Sequence, residues 1–240
     1  MKITLLGYGK MGHAIEEIAV SRGHEIVCAV GIENLEDRTV ENIKKADVVI
    51  EFTGPDSAYD NLKMCIESGV PVVCGSTGWL SRYDEIKQLA EQKNVGLIYA
   101  SNFSVGVNIF FAINRKLAQL MAAHPEYKID LKEIHHTQKL DAPSGTAITL
   151  AEQVMESAKN KKKWVNQPSS NEDELVIISE RTDPSPGTHI INYRSEIDDI
   201  CITHTAHNRK GFATGAVLAA EFLAEKKHGI YSMKDVLGIE

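Results

Sequence analysis

The chain has 240 residues, 43% of them hydrophobic and 25% charged, with a formal net charge of −7. That length fits one large domain or two modest ones and is enough for a full core. The negative balance excludes a general nucleic-acid binder, which needs a basic surface for phosphates, and no run approaches the roughly 20 apolar residues of a membrane span. The N-terminal "MKITLLGYGKMG" runs directly into a strand and turn, so no signal peptide is expected. Cys28, Cys65, Cys74 and Cys201 form no CxxC pair and read as small buried hydrophobes of a reducing cytoplasm.

In chain order, "KITLLG" (2–7) is a short apolar strand, followed by a helix with Ile15, Ile18 and Ala19 on one side. The joint, "LLGYGKMGHAI", carries G-x-G-x-x-G at Gly7, Gly9 and Gly12. The pattern is weak alone and gains meaning between a strand and a helix of a βαβ unit. Gly7 permits a tight turn, Gly9 lets the backbone approach a pyrophosphate, and Gly12 allows close helix–sheet contact. Tyr8, Lys10 and Met11 complete this loop, and the helix N-terminus offers its N–H groups to the phosphates. A ribose-binding acid is expected about 20 residues on, past the second strand "EIVCAV" (25–30), and Glu33 is the candidate. Lys10 would instead suit a 2′-phosphate, so the cofactor is NADH or NADPH.

Further short β-branched runs follow: "DVVIEFT" (47–53), "VPVVCGS" (70–76) and "VGLIYAS" (95–101), separated by helix-like segments. Strands apolar on both faces that return through helices predict a parallel sheet covered on both sides. Ligands bind outside the carboxyl edge of such sheets. Phe52 and Thr53, then Gly75, Ser76 and Thr77, then Ala100, Ser101, Asn102 and Phe103 stand on that edge and are expected to line the nicotinamide end.

The rhythm then changes. Residues 104–124 read as a long helix, "KIDLKEIH" (128–135) alternates as a half-buried strand, and from Thr146 the apolar residues follow a helical stripe. "KNKKKWVNQPSSNEDE" (159–174) reads as a polar connection. "ELVIISE", "HIINYRS" and "DICITHT" are strands joined by turn signals, which predicts an antiparallel or mixed sheet. "FATGAVLAAEFLAEKKHGIYSMKDVLGI" (212–239) reads as helical. The expected architecture is α/β: a Rossmann-like parallel-sheet domain, 1–103 with 212–240, plus an α+β domain with a mixed sheet, 104–211.

The second domain carries "EIHHTQKLDAPSGTA" (133–147). His135 and His136 end a strand, so their side chains point to opposite faces and differ in task. One imidazole can donate a proton near neutral pH. Lys139 can bind a carboxylate or act as an acid. Ser144, Gly145 and Thr146 start a helix and offer hydroxyl and N–H groups to an anion, while Asp141 and Pro143 shape the turn. A zinc site that also uses His204 and His207 is disfavoured, because no carboxylate or cysteine clusters at a metal spacing. A hydride carrier with an acid and a carboxylate cradle describes a reductase of a small anionic C=C or C=N substrate. Two other readings are a nucleotide-sensing regulator that lost its chemistry and a reductase of another amino or imino acid.

This stretch resembles the E-[LI]-H-H-x-x-K-x-D-A-P-S-G-T-A signature of the dihydrodipicolinate (4-hydroxy-tetrahydrodipicolinate) reductase family, with every fixed position met. "GYGKMG", "EFTGP", "GSTGW", "ASNFSVGVN" and "FATGAV" also fall in the family's order, so the resemblance spans the chain. It implies two domains joined by hinges, NAD(P)H-dependent reduction in diaminopimelate and lysine synthesis, and a cytoplasmic homotetramer acting on a small dicarboxylate. It assigns His135 as proton donor with Lys139 as partner, and gives the substrate carboxylates to His136, Lys139, Ser144, Gly145 and Thr146. The chain departs from the family at Lys10, where arginine is frequent, and in the short segment after the second strand. "ERTDPSPGTH" (180–189) departs from R-x-G-x-x-G-x-H, so no site residue is taken from it.

Overall fold

The computed structural model describes residues 1–208 and 210–239. In chain order the elements are β1 (Lys2–Leu6), α1 (Lys10–Ser21), β2 (Glu25–Val30), α2 (Val40–Ile43), β3 (Val48–Glu51), α3 (Pro55–Glu67), β4 (Val72–Cys74), α4 (Tyr83–Lys93), β5 (Leu97–Tyr99) and α5 (Val105–Met121). They continue with β6 (Lys128–His135), α6 (Gly145–Ser157), β7 (Lys163–Val165), β8 (Glu174–Arg181), β9 (Gly187–Arg194), β10 (Asp199–Ala206), α7 (Lys210–Lys226), β11 (Ile230–Tyr231) and α8 (Met233–Leu237). Two compact units result, Met1–Asn108 with Lys210–Glu240, and Ile109–Arg209, and the division falls inside α5.

In the first unit the strands form a six-stranded sheet ordered β11-β5-β4-β3-β1-β2, and every pairing is parallel. Side chains alternate between two apolar cores. Ile3, Leu5, Val48 and Ile50 face a cluster that includes Ala216, Val217 and Ala220 of α7. Leu6, Val49, Val72 and Leu97 face one that includes Leu62 of α3 and Ile86 of α4. Strand order reverses between β1 and β3, so the loops after these two strands diverge and leave a crevice at the carboxyl edge. The stretch 212–239 is not one helix. Lys227 and Gly229 adopt left-handed φ values of 65° and 98°, which stop α7 and let Ile230–Tyr231 pair with β5.

The second unit holds a five-stranded mixed sheet ordered β10-β9-β6-β8-β7. β9 and β10 form an antiparallel hairpin pair, but β8 and β9 are not neighbours. β6 lies between them, parallel to β8 and antiparallel to β9, so the 182–186 loop crosses over the end of β6. Thr182 N donates to His135 O at 2.8 Å, and Ser185 Oγ to Ile134 O at 3.1 Å. The polar connection 159–174 contributes a short edge strand, β7, in which Trp164 and Val165 pair with Leu175 and Val176 of β8. The core joins Leu131, Ile177, Ile191 and Tyr193 of the sheet to Leu150, Ala151 and Val154 of α6 and Phe110 of α5. Of the cysteines, Cys65 and Cys74 are buried, whereas Cys201 is exposed on the edge strand β10.

Candidate active site

In the first unit, a cavity of about 670 Å³ opens at the reversal of strand order. Its floor is the β1–α1 turn. Gly7 has φ +99°, and a Cβ there would fall 2.1 Å from the Phe52 carbonyl oxygen. A Cβ on Gly12 would stand 2.5 Å from Gly7 O, whereas one on Gly9 would meet nothing within 4 Å. The first and third glycines therefore close the turn onto β3 and α1, and the middle one keeps space open. Gly9 caps α1 without a side-chain hydrogen bond, and the first turn holds no acid. Free N–H groups, a positive helix end and open volume suit a pyrophosphate, so these residues fit a dinucleotide.

Gly7, Tyr8, Gly9, Glu33, Phe52 and Thr53 line this cavity. Lys10, Met11 and Gly12 lie in the first turn of α1 and are not among its lining residues, nor are Gly75, Ser76, Thr77 or Ala100–Phe103. Gly75 acts on the wall indirectly, since a Cβ there would fall 2.2 Å from the Phe52 ring. Phe103 is a core residue at 2% exposure, with its carbonyl against α7 at Gly215. His13 and Arg38 are among the lining residues that the sequence alone does not single out. Arg38 Nη1 donates to Asn61 Oδ1 at 3.2 Å, and Asn61 Nδ2 lies 3.3 Å from Oε1 of the fully buried Glu51. Glu51 also accepts from Thr53 N at 3.0 Å and so fixes the β3–α3 loop.

In the second unit the chemistry gathers around Glu133. Alternation along β6 places Leu131, Glu133 and His135 on the buried face. Register then sets Glu133 opposite Ser179 of β8 and His189 of β9. The carboxylate accepts from Ser179 Oγ at 2.7 Å, from Ser144 N at 3.1 and 3.2 Å, and from Arg181 Nη2 at 3.2 Å. His135 Nδ1 lies 3.3 Å from Oε2, out of line for a hydrogen bond, and His189 Nε2 lies 3.7 Å from the same oxygen. Burial alone would raise the Glu133 pKa. The adjacent His135 imidazole and the hydrogen bonds from Ser144 and Ser179 more than offset it and hold the group well below the usual carboxylate range. Burial, reinforced by the neighbouring His135, pushes His189 down to about 4, so its ring is neutral at pH 7.

His135 is 7% exposed, and its Nε2 edge faces Gly187, where a Cβ would come within 3.0 Å. Ser144 is the N-cap of α6, its Oγ accepting from Ala147 N at 3.2 Å. An added Cβ at Gly145 would meet nothing within 4 Å, so space is open at the first turn, where Thr146 is half-buried. Thus His135, Ser144 and the start of α6 come together around Glu133. Lys139 pairs instead with Asp141, its Nζ 2.7 and 2.9 Å from the carboxylate oxygens, and this contact lowers the Asp141 pKa. His136 is half-buried, just beyond the end of β6. His204 is half-buried and His207 exposed. Among the described residues, the donor cluster of metal-ligating type is Glu133, His135 and His189. The Arg181 guanidinium on Glu133 opposes a dication there.

Residues 1–103 match the family model "Dihydrodipicolinate reductase, N-terminus", and residues 106–237 match "Dihydrodipicolinate reductase, C-terminus". A 4-hydroxy-tetrahydrodipicolinate reductase of Christiangramia forsetii is 48% identical over 237 residues, covering 99% of this chain and 98% of the relative. One from Methanoregula boonei is 36% identical, covering 91% of this chain and 83% of the relative. Among solved structures, a dipicolinate-bound dihydrodipicolinate reductase from Paenisporosarcina sp. TG-14 is 25% identical, covers 97% of each chain and has a TM-score of 0.76. An amine dehydrogenase from Mycobacterium smegmatis shares the fold alone, with 12% identity over 97% of this chain and 95% of the other at a TM-score of 0.64. With both halves matched by that family's models and nearly the whole length by its members, the chain belongs to the dihydrodipicolinate reductase family of NAD(P)H-dependent oxidoreductases.

Proposed function

We propose that the protein reduces 4-hydroxy-tetrahydrodipicolinate to tetrahydrodipicolinate, with loss of water, in diaminopimelate and lysine synthesis. The observation that carries this reading is the 133–147 signature, which folds into a buried carboxylate–imidazole pair beside an open helix N-terminus. The nicotinamide supplies the hydride to a ring carbon. His135 donates the proton to the adjacent ring carbon, with Lys139 as its partner; substrate binding releases Lys139 from Asp141. His136, Lys139, Ser144, Gly145 and Thr146 take the substrate carboxylates. Gly7–Gly12, Glu33, Phe52, Thr53, Gly75–Thr77 and Ala100–Phe103 serve the nucleotide, either directly or by shaping its site. The enzyme is a cytoplasmic homotetramer whose second domain supplies the contacts. Ile197 and Ile200, exposed on and beside the edge strand β10, support that surface. Among the described residues, no helix is long and apolar enough to cross a membrane.

The test combines purified protein, NADH or NADPH, and substrate made in situ by the preceding synthase, and follows nicotinamide absorbance. Substrate-dependent oxidation of either nucleotide is expected. Its absence with both overturns the proposal.

A further inference from the structure

Neither His189 nor Glu133 has a role in the chemistry above, yet both are buried and both touch Ser144. We propose that they are positioning residues which turn the Ser144 hydroxyl proton outward, toward an anion at the start of α6. The inference rests on the reading that this helix end binds a substrate carboxylate.

The first turn of an α-helix leaves N–H groups without intrahelical partners. Here the Ser144 N–H is taken by both oxygens of Glu133 at 3.1 and 3.2 Å, and the Ala147 N–H by Ser144 Oγ at 3.2 Å. The N–H groups of Gly145 and Thr146 remain for a ligand. Whether Ser144 adds a third donor depends on His189, whose Nε2 lies 3.2 Å from Ser144 Oγ. Either the ring donates to the serine, or the serine donates to the ring.

Charge decides between these two arrangements. Burial keeps His189 neutral, so the ring carries one proton. Glu133 Oε2 lies 3.7 Å from Nε2, and a carboxylate so close favours the proton on that nitrogen. Nδ1 is buried with no partner among the described residues. Moving the proton there would leave an N–H with no acceptor and set a bare Nε2 lone pair against the carboxylate. With the proton on Nε2, Ser144 Oγ accepts from His189 and from Ala147. Its own proton then has no acceptor among the described residues and is available to an anion. His189 and Glu133 face each other across β9 and β6, so sheet register holds both in place.

The probe is dipicolinate, titrated calorimetrically into the full-length protein. Loss of one hydrogen bond to a charged ligand lowers affinity about tenfold. His189→Leu and Ser144→Ala should each show that loss. His189→Gln places an amide N–H near the position of Nε2 and should restore affinity to within about threefold, on the same scale. In turnover, His189→Leu should raise KM more than it lowers kcat. Nitrogen-15 shifts of His189 in the wild type should report the Nε2–H tautomer, and Glu133→Gln should move the population toward Nδ1–H. Wild-type affinity in a normally melting His189→Leu, or an Nδ1–H tautomer in the wild type, overturns the inference. The tautomer measurement still decides if His189→Leu fails to fold. No dipicolinate binding by the wild type would instead remove the substrate-site reading on which the inference rests.

Discussion

At the scale of single residues, the geometry around His135 sets its sensitivities. Its proposed role as proton donor predicts that His135→Ala lowers kcat by about 10²- to 10⁴-fold, the usual contribution of a general acid, with KM less affected. Steady-state kinetics check this, and normal turnover would remove the role. Gly187→Ala approaches the same ring from outside. The new Cβ would stand 3.0 Å from Nε2 at a backbone φ of +155°, so the imidazole must shift. A loss in kcat of roughly tenfold is expected from such a displacement, with the nucleotide KM unchanged. In the nucleotide cavity, Arg38→Ala should raise KM for NADPH more than for NADH, because a guanidinium on that wall is suited to a 2′-phosphate. Equal effects on the two nucleotides would show that Arg38 only braces Asn61.

At the scale of elements, the glycines mark where backbone meets backbone. A Cβ on Gly215 would fall 1.7 Å from Phe103 O, so α7 packs on the 100–103 loop with no room for a methyl group. Gly215→Ala should cost about 3 kcal/mol or more, read as a lower denaturation midpoint. The sequence carried much of this architecture. Period-two alternation in "KIDLKEIH" and the glycine turn between β1 and α1 are local patterns, and both elements stand where those patterns put them. The interposition of β6 between β8 and β9 was not legible. The "DPSPG" turn signal says that the chain reverses, not that it first crosses a third strand. The same limit hid Arg181 and His189, which meet Glu133 through register across three strands. One signal for Glu133 did exist: it occupies a core-facing position in an alternating strand, and a carboxylate there needs partners. Arg38 stayed hidden because its reach into the cavity depends on the course of the loop after β2, which no motif specifies.

At the scale of the molecule, the buried cluster ties stability to pH. Unfolded His189 takes a proton near pH 6.5, whereas the folded ring resists protonation down to about 4. The unfolded state therefore binds more protons in that window, and stability falls as pH drops through it. The loss from this group between about pH 6.5 and 5 is on the order of 2 kcal/mol. Glu133 acts in the same direction but lower. Its folded pKa is depressed, so its contribution is present above the ordinary carboxylate range and is lost only in stronger acid. Thermal melts from neutral pH to about pH 5 should show a steeper fall for the wild type than for His189→Gln, which cannot titrate. Parallel curves would contradict the assignment.

The return of the chain to its first unit through α7 bears on synthesis. Ala213, Ala216, Val217, Ala219, Ala220 and Leu223 fill the core beneath β1 and β3, more than 100 residues after those strands leave the ribosome. Until α7 emerges, that face of the parallel sheet is covered only in part, by Ile15 and Ala19 of α1. Residues 109–208 are continuous and need no such delay. The nucleotide-binding unit, although first to be translated, is thus completed after the unit encoded within it. A chain ending at residue 208 and released from the ribosome should expose protease-sensitive sites in residues 1–108 while 109–208 is resistant, and NADH should not protect it.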